Sequence, residues 1–375
     1  MYPSRTQHTA SVNSRPIRRR LLSIMVVTVT TFLIPAPAQA LVINASYDEG
    51  SLSAAVTSVI NTAIGFYQNT FADNITVNID FHNMTSGLGA SLIPIYTTSY
   101  ASYKTQLTLD ATSANDKTAL ASLPISVPGG GIDIKPADAR AVGYNAPGMT
   151  LTSANTGGFC SGSNLDGCVG LNLGLTTAYG GSYSLLATVE HEIDEVLGLG
   201  SSLSGNGTIL NGYMSPEDLF RYSAPGVSSF AVNNGITSSN CAGAPLAYLS
   251  INKGVTNLDT FNNCKNGADY GDWSTGVLAQ VQSAYGTPGA TPSLTVSSVE
   301  VTALDVIGYN LTPQAQTLLA AQIKAQTLLA GKSEDLPEPA DMVLLGAGFS
   351  GLFMARRRLQ RNKKSRSDSL QAILV

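Results

Sequence analysis

Residues 181–198, Gly-Ser-Tyr-Ser-Leu-Leu-Ala-Thr-Val-Glu-His-Glu-Ile-Asp-Glu-Val-Leu-Gly, constrain this chain more than any other stretch. Leu185, Leu186, Val189, Ile193, Val196 and Leu197 recur at helical spacing, which predicts an amphipathic helix opened by Ser182 or Ser184. Gly198 and Gly200 supply the stop, because glycine takes the left-handed conformation that ends helices. A helix this apolar has to be packed against a core. Yet four groups of metal-ligand type, His191, Glu192, Asp194 and Glu195, fall within five residues, in a chain with only 12% charged residues.

His191 and Glu195, four residues apart, stack on one face of such a helix, with Glu192 displaced by one position. In zinc hydrolases built on His-Glu-x-x-His, the first and fifth residues bind the metal and the second deprotonates water. The fifth position here is a carboxylate, which is also an accepted zinc ligand. His191 and Glu195 are therefore the expected metal ligands and Glu192 the expected general base. The competing reading is a solvated polar helix face.

The longer string at 191–198 resembles the metzincin signature H-E-x-x-H-x-x-G-x-x-H, with the glycine in place and departures at Glu195 and Ser201. It is more similar still to a group of secreted bacterial zincin-like metalloproteases whose helix reads H-E-I-x-E-V-L/M-G. The resemblance extends in order over most of 41–310. It takes in a helix-strand opening (51–71, then 74–81), a short Val-Gly-Leu-Asn-Leu strand at 169–173, Asp-Leu-Phe-Arg-Tyr-Ser-Ala-Pro-Gly at 218–226, and Leu-Asp-Val-Ile-Gly-Tyr at 304–309. It implies an α+β fold, a zincin-like catalytic domain with a twisted mixed sheet and an active-site helix. It also implies an exported zinc-dependent endopeptidase, and a strand before the helix that forms the sheet edge and pairs with the peptide substrate. Ser201, at the metzincin third-ligand position, is a poor ligand. The family string makes Asp218 the leading third ligand, with a helix-start or Arg221-pairing role as its other reading. His82, the one other histidine in 41–336, closes the predicted strand and reads as structural. Asp269 and Asp272 offer oxygens for a calcium ion, a second cofactor expectation; tight-turn chemistry is the alternative, since the spacing fits no EF-hand loop.

Both ends read as addresses. Arg15, Arg18, Arg19 and Arg20, the apolar run 21–34 and Ala38-Gln39-Ala40 make a signal peptide over 1–40. Residues 311–336 read as a helical spacer. Pro-Glu-Pro at 337–339, an apolar segment at 340–355 and Arg356, Arg357 and Arg358 resemble the PEP-CTERM sorting signal of Gram-negative bacteria, spanning 337–366 before a tail at 367–375. That resemblance implies handling by signal peptidase and an exosortase, transient membrane contact, and delivery to the cell surface or extracellular matrix. An ordinary C-terminal anchor is the plainer alternative.

The formal charge of −4 hides an acidic centre. Residues 41–339 hold 23 acidic and 9 basic residues, so the basic face that nucleic-acid binding needs is missing. Four cysteines, all in this part, fit an oxidising compartment; the spacing favours Cys160 with Cys168 and Cys241 with Cys264 among three pairings. With no Gly-x-Ser-x-Gly elbow, a serine esterase has no support. The expectation is thus a zinc metalloprotease acting on a peptide or protein. The runner-up is a catalytically inactive zincin-fold surface or biofilm-matrix protein, which the absent second and third histidines would suit.

Overall fold

The computed structural model describes residues 41–333, apart from 48–51, 205–208, 210–211, 231, 233–246 and 275–277, with backbone alone over 326–333. Strand β1 (Val42–Tyr47) precedes helix α1 (Ala54–Thr70), whose N-cap is Ser53. The Ser53 hydroxyl accepts the Val56 amide, satisfying a donor that the first turn leaves open. Val56, Ile60, Ala63, Ile64 and Tyr67 recur at helical spacing and are buried; Val56, Ile60 and Ile64 each contribute about 1.5–3 kcal/mol by leaving water. Strand β2 (Thr76–Asn83) buries Val77, Ile79 and Phe81 in alternation. His82 lies within this strand rather than closing it, edge-on to Phe159 with ring centroids 4.4 Å apart.

Strands β3 (Gly89–Leu92) and β4 (Tyr96–Ser99) lead into helices α2 (Tyr100–Asp110) and α3 (Ala114–Ser122). The N-cap of α3 is Ser113. Asp116 completes a capping box, accepting the Ser113 amide while Ser113 accepts its own. Strand β5 (Gly131–Ile134), helix α4 (Pro136–Ala141) and strands β6 (Met149–Leu151), β7 (Gly162–Leu165) and β8 (Gly167–Leu171) bring the chain to helix α5 (Leu185–Leu197). Short strands β9 (Tyr213–Met214), β10 (Arg221–Ala224), β11 (Val227–Ser228), β12 (Tyr248–Leu249) and β13 (Asp259–Thr260) follow, then helices α6 (Val299–Ile307) and α7 (Pro313–Ser333).

The architecture is α+β with mixed sheets. In the main sheet the order is β1-β2-β8-β3, with β1, β2 and β8 parallel and β3 antiparallel to β8. This corrects one expectation: the strand preceding α5 is interior, and the edge belongs to β3. Both strands come close to α5 through glycine. A Cβ on Gly167 would lie 2.7 Å from Val196 Cγ2. One on Gly89 would lie 2.2 Å from Glu192 Oε1 and 2.8 Å from Thr188 Cγ2.

The end of the fold is tied to its beginning. Phe71 bridges to Leu311, and the Ala72 amide donates to the Asn310 carbonyl at 2.7 Å. Tyr103 donates to the Ile307 carbonyl and Tyr309 to that of Leu197, so α6 is held against α2 and α5. Cys160 and Cys168 are disulfide-bonded, as their spacing predicts. Cys264 is also disulfide-bonded, and its expected partner Cys241 lies outside the described residues. Among the described residues no helix is long and apolar enough to cross a membrane. The signal-peptide and sorting segments lie outside the described residues.

Candidate metal centre

Helix α5 is anchored at both ends and along its back. Ser184, not Ser182, is the N-cap and accepts the Ala187 amide at 3.2 Å. Gly198 ends the helix at φ +155°, where a Cβ would approach Ile307 Cδ1 to 2.7 Å. Lys135 donates to the terminal carbonyls of Glu195, at 2.6 Å, and Leu199, placing a cation at the negative end of the helix dipole. Behind the helix, the Tyr67 hydroxyl lies 2.8 Å from both the Glu190 carbonyl oxygen and Asp194 Oδ1. Glu190 Oε2 accepts the Leu294 amide at 3.1 Å. These two acids are fastened into the core and face away from the cleft residues.

On the front face, His191 Nδ1 lies 3.0 Å from the Val281 carbonyl oxygen. An N–H donated there fixes the tautomer and leaves the Nε2 lone pair free to bind a cation. Nε2 points between Glu195 Oε1 and Asp272 Oδ1, 3.7 Å from each. Among the described residues, His191, Glu195 and Asp272 are the group whose ligand atoms all lie within 4.8 Å of one another. Glu195 is aimed by Ser91 of edge strand β3, which donates to Oε2. Asp272 is aimed by Gln282, whose amide nitrogen donates to Oδ1 at 3.0 Å. Glu192 stands beside them under the Gly89 backbone, 4% exposed, and its Oε2 has no hydrogen-bond partner.

These groups form one wall of a cleft of about 420 Å³. Leu88, Ala90, Tyr183, Tyr285 and Pro292 supply apolar lining, and no Lys or Arg is among the described residues that line it. A smaller hollow of about 330 Å³ shares Glu195 and Asp269 with the cleft. Strand β3 therefore runs past both.

Burial and the neighbouring carboxylates shift the titration of Glu192, Asp272 and His191. Burial pushes Glu192 well above the usual carboxylate range, with the charge of Glu195 adding to it. Asp272 is raised well above that range by burial, opposed by His191 and reinforced by Asp269 and Glu195. For His191, burial disfavours the imidazolium, but Asp272, Glu192 and Glu195 together outweigh it and push the group up to about 10. The wall has the electrostatics of a site built around positive charge.

The structure brings together two of the three expected ligands, His191 and Glu195. Asp218 does not join His191 and Glu195. Its oxygens are filled by Ser201 Oγ at 2.7 Å, the Ser202 amide at 2.9 Å and Ser215 Oγ at 2.9 Å, with Arg221 as counterion at 4.0 Å. Hydrogen-bonded on both oxygens and 1% exposed, it pins the loop after α5 and is not among the residues that line the cleft. Asp272 is the acid that lies beside His191 and Glu195 instead. Asp269 lines the cleft but accepts the Gly271 amide, the tight-turn role expected of it. Trp273 is fully buried and donates to Glu300 Oε1 away from the cleft. Ser91, Gly89 and Gln282 carried no signal of their own in the sequence. Comparison of the chain with family models, with curated proteins and with solved structures finds no match.

Proposed function

We propose that this is an exported, zinc-dependent endopeptidase of zincin-like architecture, with His191, Glu195 and Asp272 as metal ligands and Glu192 as general base. The observation that carries this reading is the convergence of those three donors on the wall of a cleft, beside a carboxylate that has an oxygen to spare. The donors suit the ion: separations of 3.7 Å from Nε2 lie near the ~3.4 Å edge of a tetrahedral site with bonds of about 2.1 Å. A bound zinc would polarise the scissile carbonyl and make water acidic enough to attack at neutral pH.

What remains is work for the chain itself. Glu192 accepts the proton of the attacking water at its unpartnered oxygen and returns it to the amine nitrogen as the C–N bond breaks. The Gly89 backbone over Glu192 and the apolar cleft walls keep bulk water from competing for that proton. Ser91 and the Val281 carbonyl hold Glu195 and His191 in their orientations, so little side-chain freedom is lost on binding. An extended peptide suits the exposed side of β3, which passes both hollows. Its address is the cell surface or extracellular matrix, through the terminal sorting segments.

The test is Glu192→Gln, assayed on an unstructured protein substrate. Hydrolysis should fall about 10²–10⁴-fold while zinc content and thermal unfolding stay unchanged. Undiminished cleavage overturns the general-base assignment. A zinc-loaded parent that cleaves nothing across a panel of unfolded proteins points instead to a surface scaffold without turnover.

A further inference from the structure

Gln282 is a neutral side chain in contact with two of the three candidate ligands. Its amide nitrogen sits 3.0 Å from Asp272 Oδ1 and 3.5 Å from His191 Nε2. Its oxygen, Oε1, is buried and has no hydrogen-bond partner. An amide oxygen left bare in a fully buried position loses the hydration it had in the unfolded chain and gains no hydrogen bond in exchange. The backbone leaves Gln282 little choice of place. Its main-chain N–H donates to Glu300 Oε1 at 3.1 Å, and its main-chain carbonyl accepts the Trp273 N–H at 2.8 Å. Trp273 adjoins Asp272, so the same backbone contact positions ligand and amide together.

A side-chain amide carries its oxygen and nitrogen on equivalent arms, and a half-turn of the terminal torsion exchanges them. Without a cation, the nitrogen faces Asp272 and relieves the negative cluster. With one, the exchange brings the oxygen to the position 3.0 Å from Asp272 Oδ1 and 3.5 Å from His191 Nε2, separations that match two donors on one ion. Building on the metal centre proposed above, we infer that Gln282 is a further ligand, turning its amide to present Oε1 to the metal. The donor set then becomes one imidazole, two carboxylates and one amide oxygen.

Two substitutions separate this from a role as a mere hydrogen-bond donor to Asp272. Gln282→Leu removes both capacities. Gln282→Glu keeps the oxygen but has no N–H for Asp272. Zinc affinity of the full chain, measured by competition with a chromophoric chelator, should fall about 10-fold or more for the Leu variant. For the Glu variant it should hold within about threefold of the parent or tighten, because a carboxylate oxygen is also a zinc ligand. Cobalt-loaded protein should show altered visible bands in the Leu variant, since coordination changes. A Glu variant that binds zinc as weakly as the Leu variant overturns the ligand role while leaving the metal centre intact. Failure of the parent to bind zinc overturns the centre itself and this inference with it.

Discussion

Two acid-bearing loops follow helix α5, and they treat their carboxylates in opposite ways. In the loop around Ser215, Asp218 receives hydrogen bonds from Ser201, Ser202 and Ser215 and faces Arg221, which is fully buried over the Phe261 ring. In the loop around Gly271, Asp272 has one donor, the amide of Gln282, and looks toward a histidine and another carboxylate. The first loop answers negative charge from within the fold. The second leaves a deficit of positive charge at the cleft wall. A carboxylate with few donors of its own is the one with lone pairs left over, which is why Asp272 rather than Asp218 is the proposed ligand.

That contrast breaks most sharply on the stability side. Removing the Asp218 carboxylate strands a buried guanidinium, so Asp218→Ala should cost about 3–5 kcal/mol in urea unfolding. Asp272→Ala should cost little or even stabilise the metal-free protein, because it thins a cluster of like charges. Equal losses for the two would erase the distinction between fold-bearing and cation-bearing acids.

The back of α5 extends the comparison. Tyr67→Phe leaves the Asp194 carboxyl and the Glu190 carbonyl without their buried hydroxyl. We expect a loss of about 1–3 kcal/mol, with the zinc affinity of the front face unchanged. A large change in zinc affinity would mean that the two faces of the helix are not independent.

A smaller effect concerns acids far from the cleft. Asp305 accepts Ser113 Oγ and Asn115 Nδ2, both at 3.0 Å, and burial pushes it up to about 7, with Asp116 adding to the shift. In the unfolded chain its carboxyl ionises near 4. A folded-state pKa above the unfolded one means that folding is favoured while the group stays protonated. That advantage is lost as pH rises from about 4 to about 7. The melting temperature should therefore rise between pH 8 and pH 5, and Asp305→Asn should flatten part of that rise. An unaltered pH profile in the variant would show that Asp305 ionises normally in the folded protein.

The sequence made the local elements legible because their signals are short-range. The apolar spacing of 185–197, the alternation in β2 and the Gly198 stop each reflect a few neighbouring residues. Cys160 and Cys168 were legible for the same reason, being eight residues apart. What pattern reading could not supply was long-range pairing. That β3 rather than β8 takes the sheet edge depends on a pairing across about eighty residues. That Asp272 meets His191 depends on the return of a loop over a similar distance. Ser91 and Gln282 acquire meaning only from the side chains they touch, and neither residue type announces a metal site. The family-like string at 218–226 left two readings of Asp218 open, and the structure shows the one in which it faces Arg221, at 4.0 Å.

The most direct measurement is zinc content and affinity of the exported, purified protein alongside two variants carrying the same chemical change, Asp272→Asn and Asp218→Asn. The proposed centre predicts about one zinc per chain in the parent and in Asp218→Asn, with affinity at least tenfold weaker in Asp272→Asn. A folded parent that binds no zinc, or an Asp218→Asn protein that loses it while Asp272→Asn keeps it, would contradict the account.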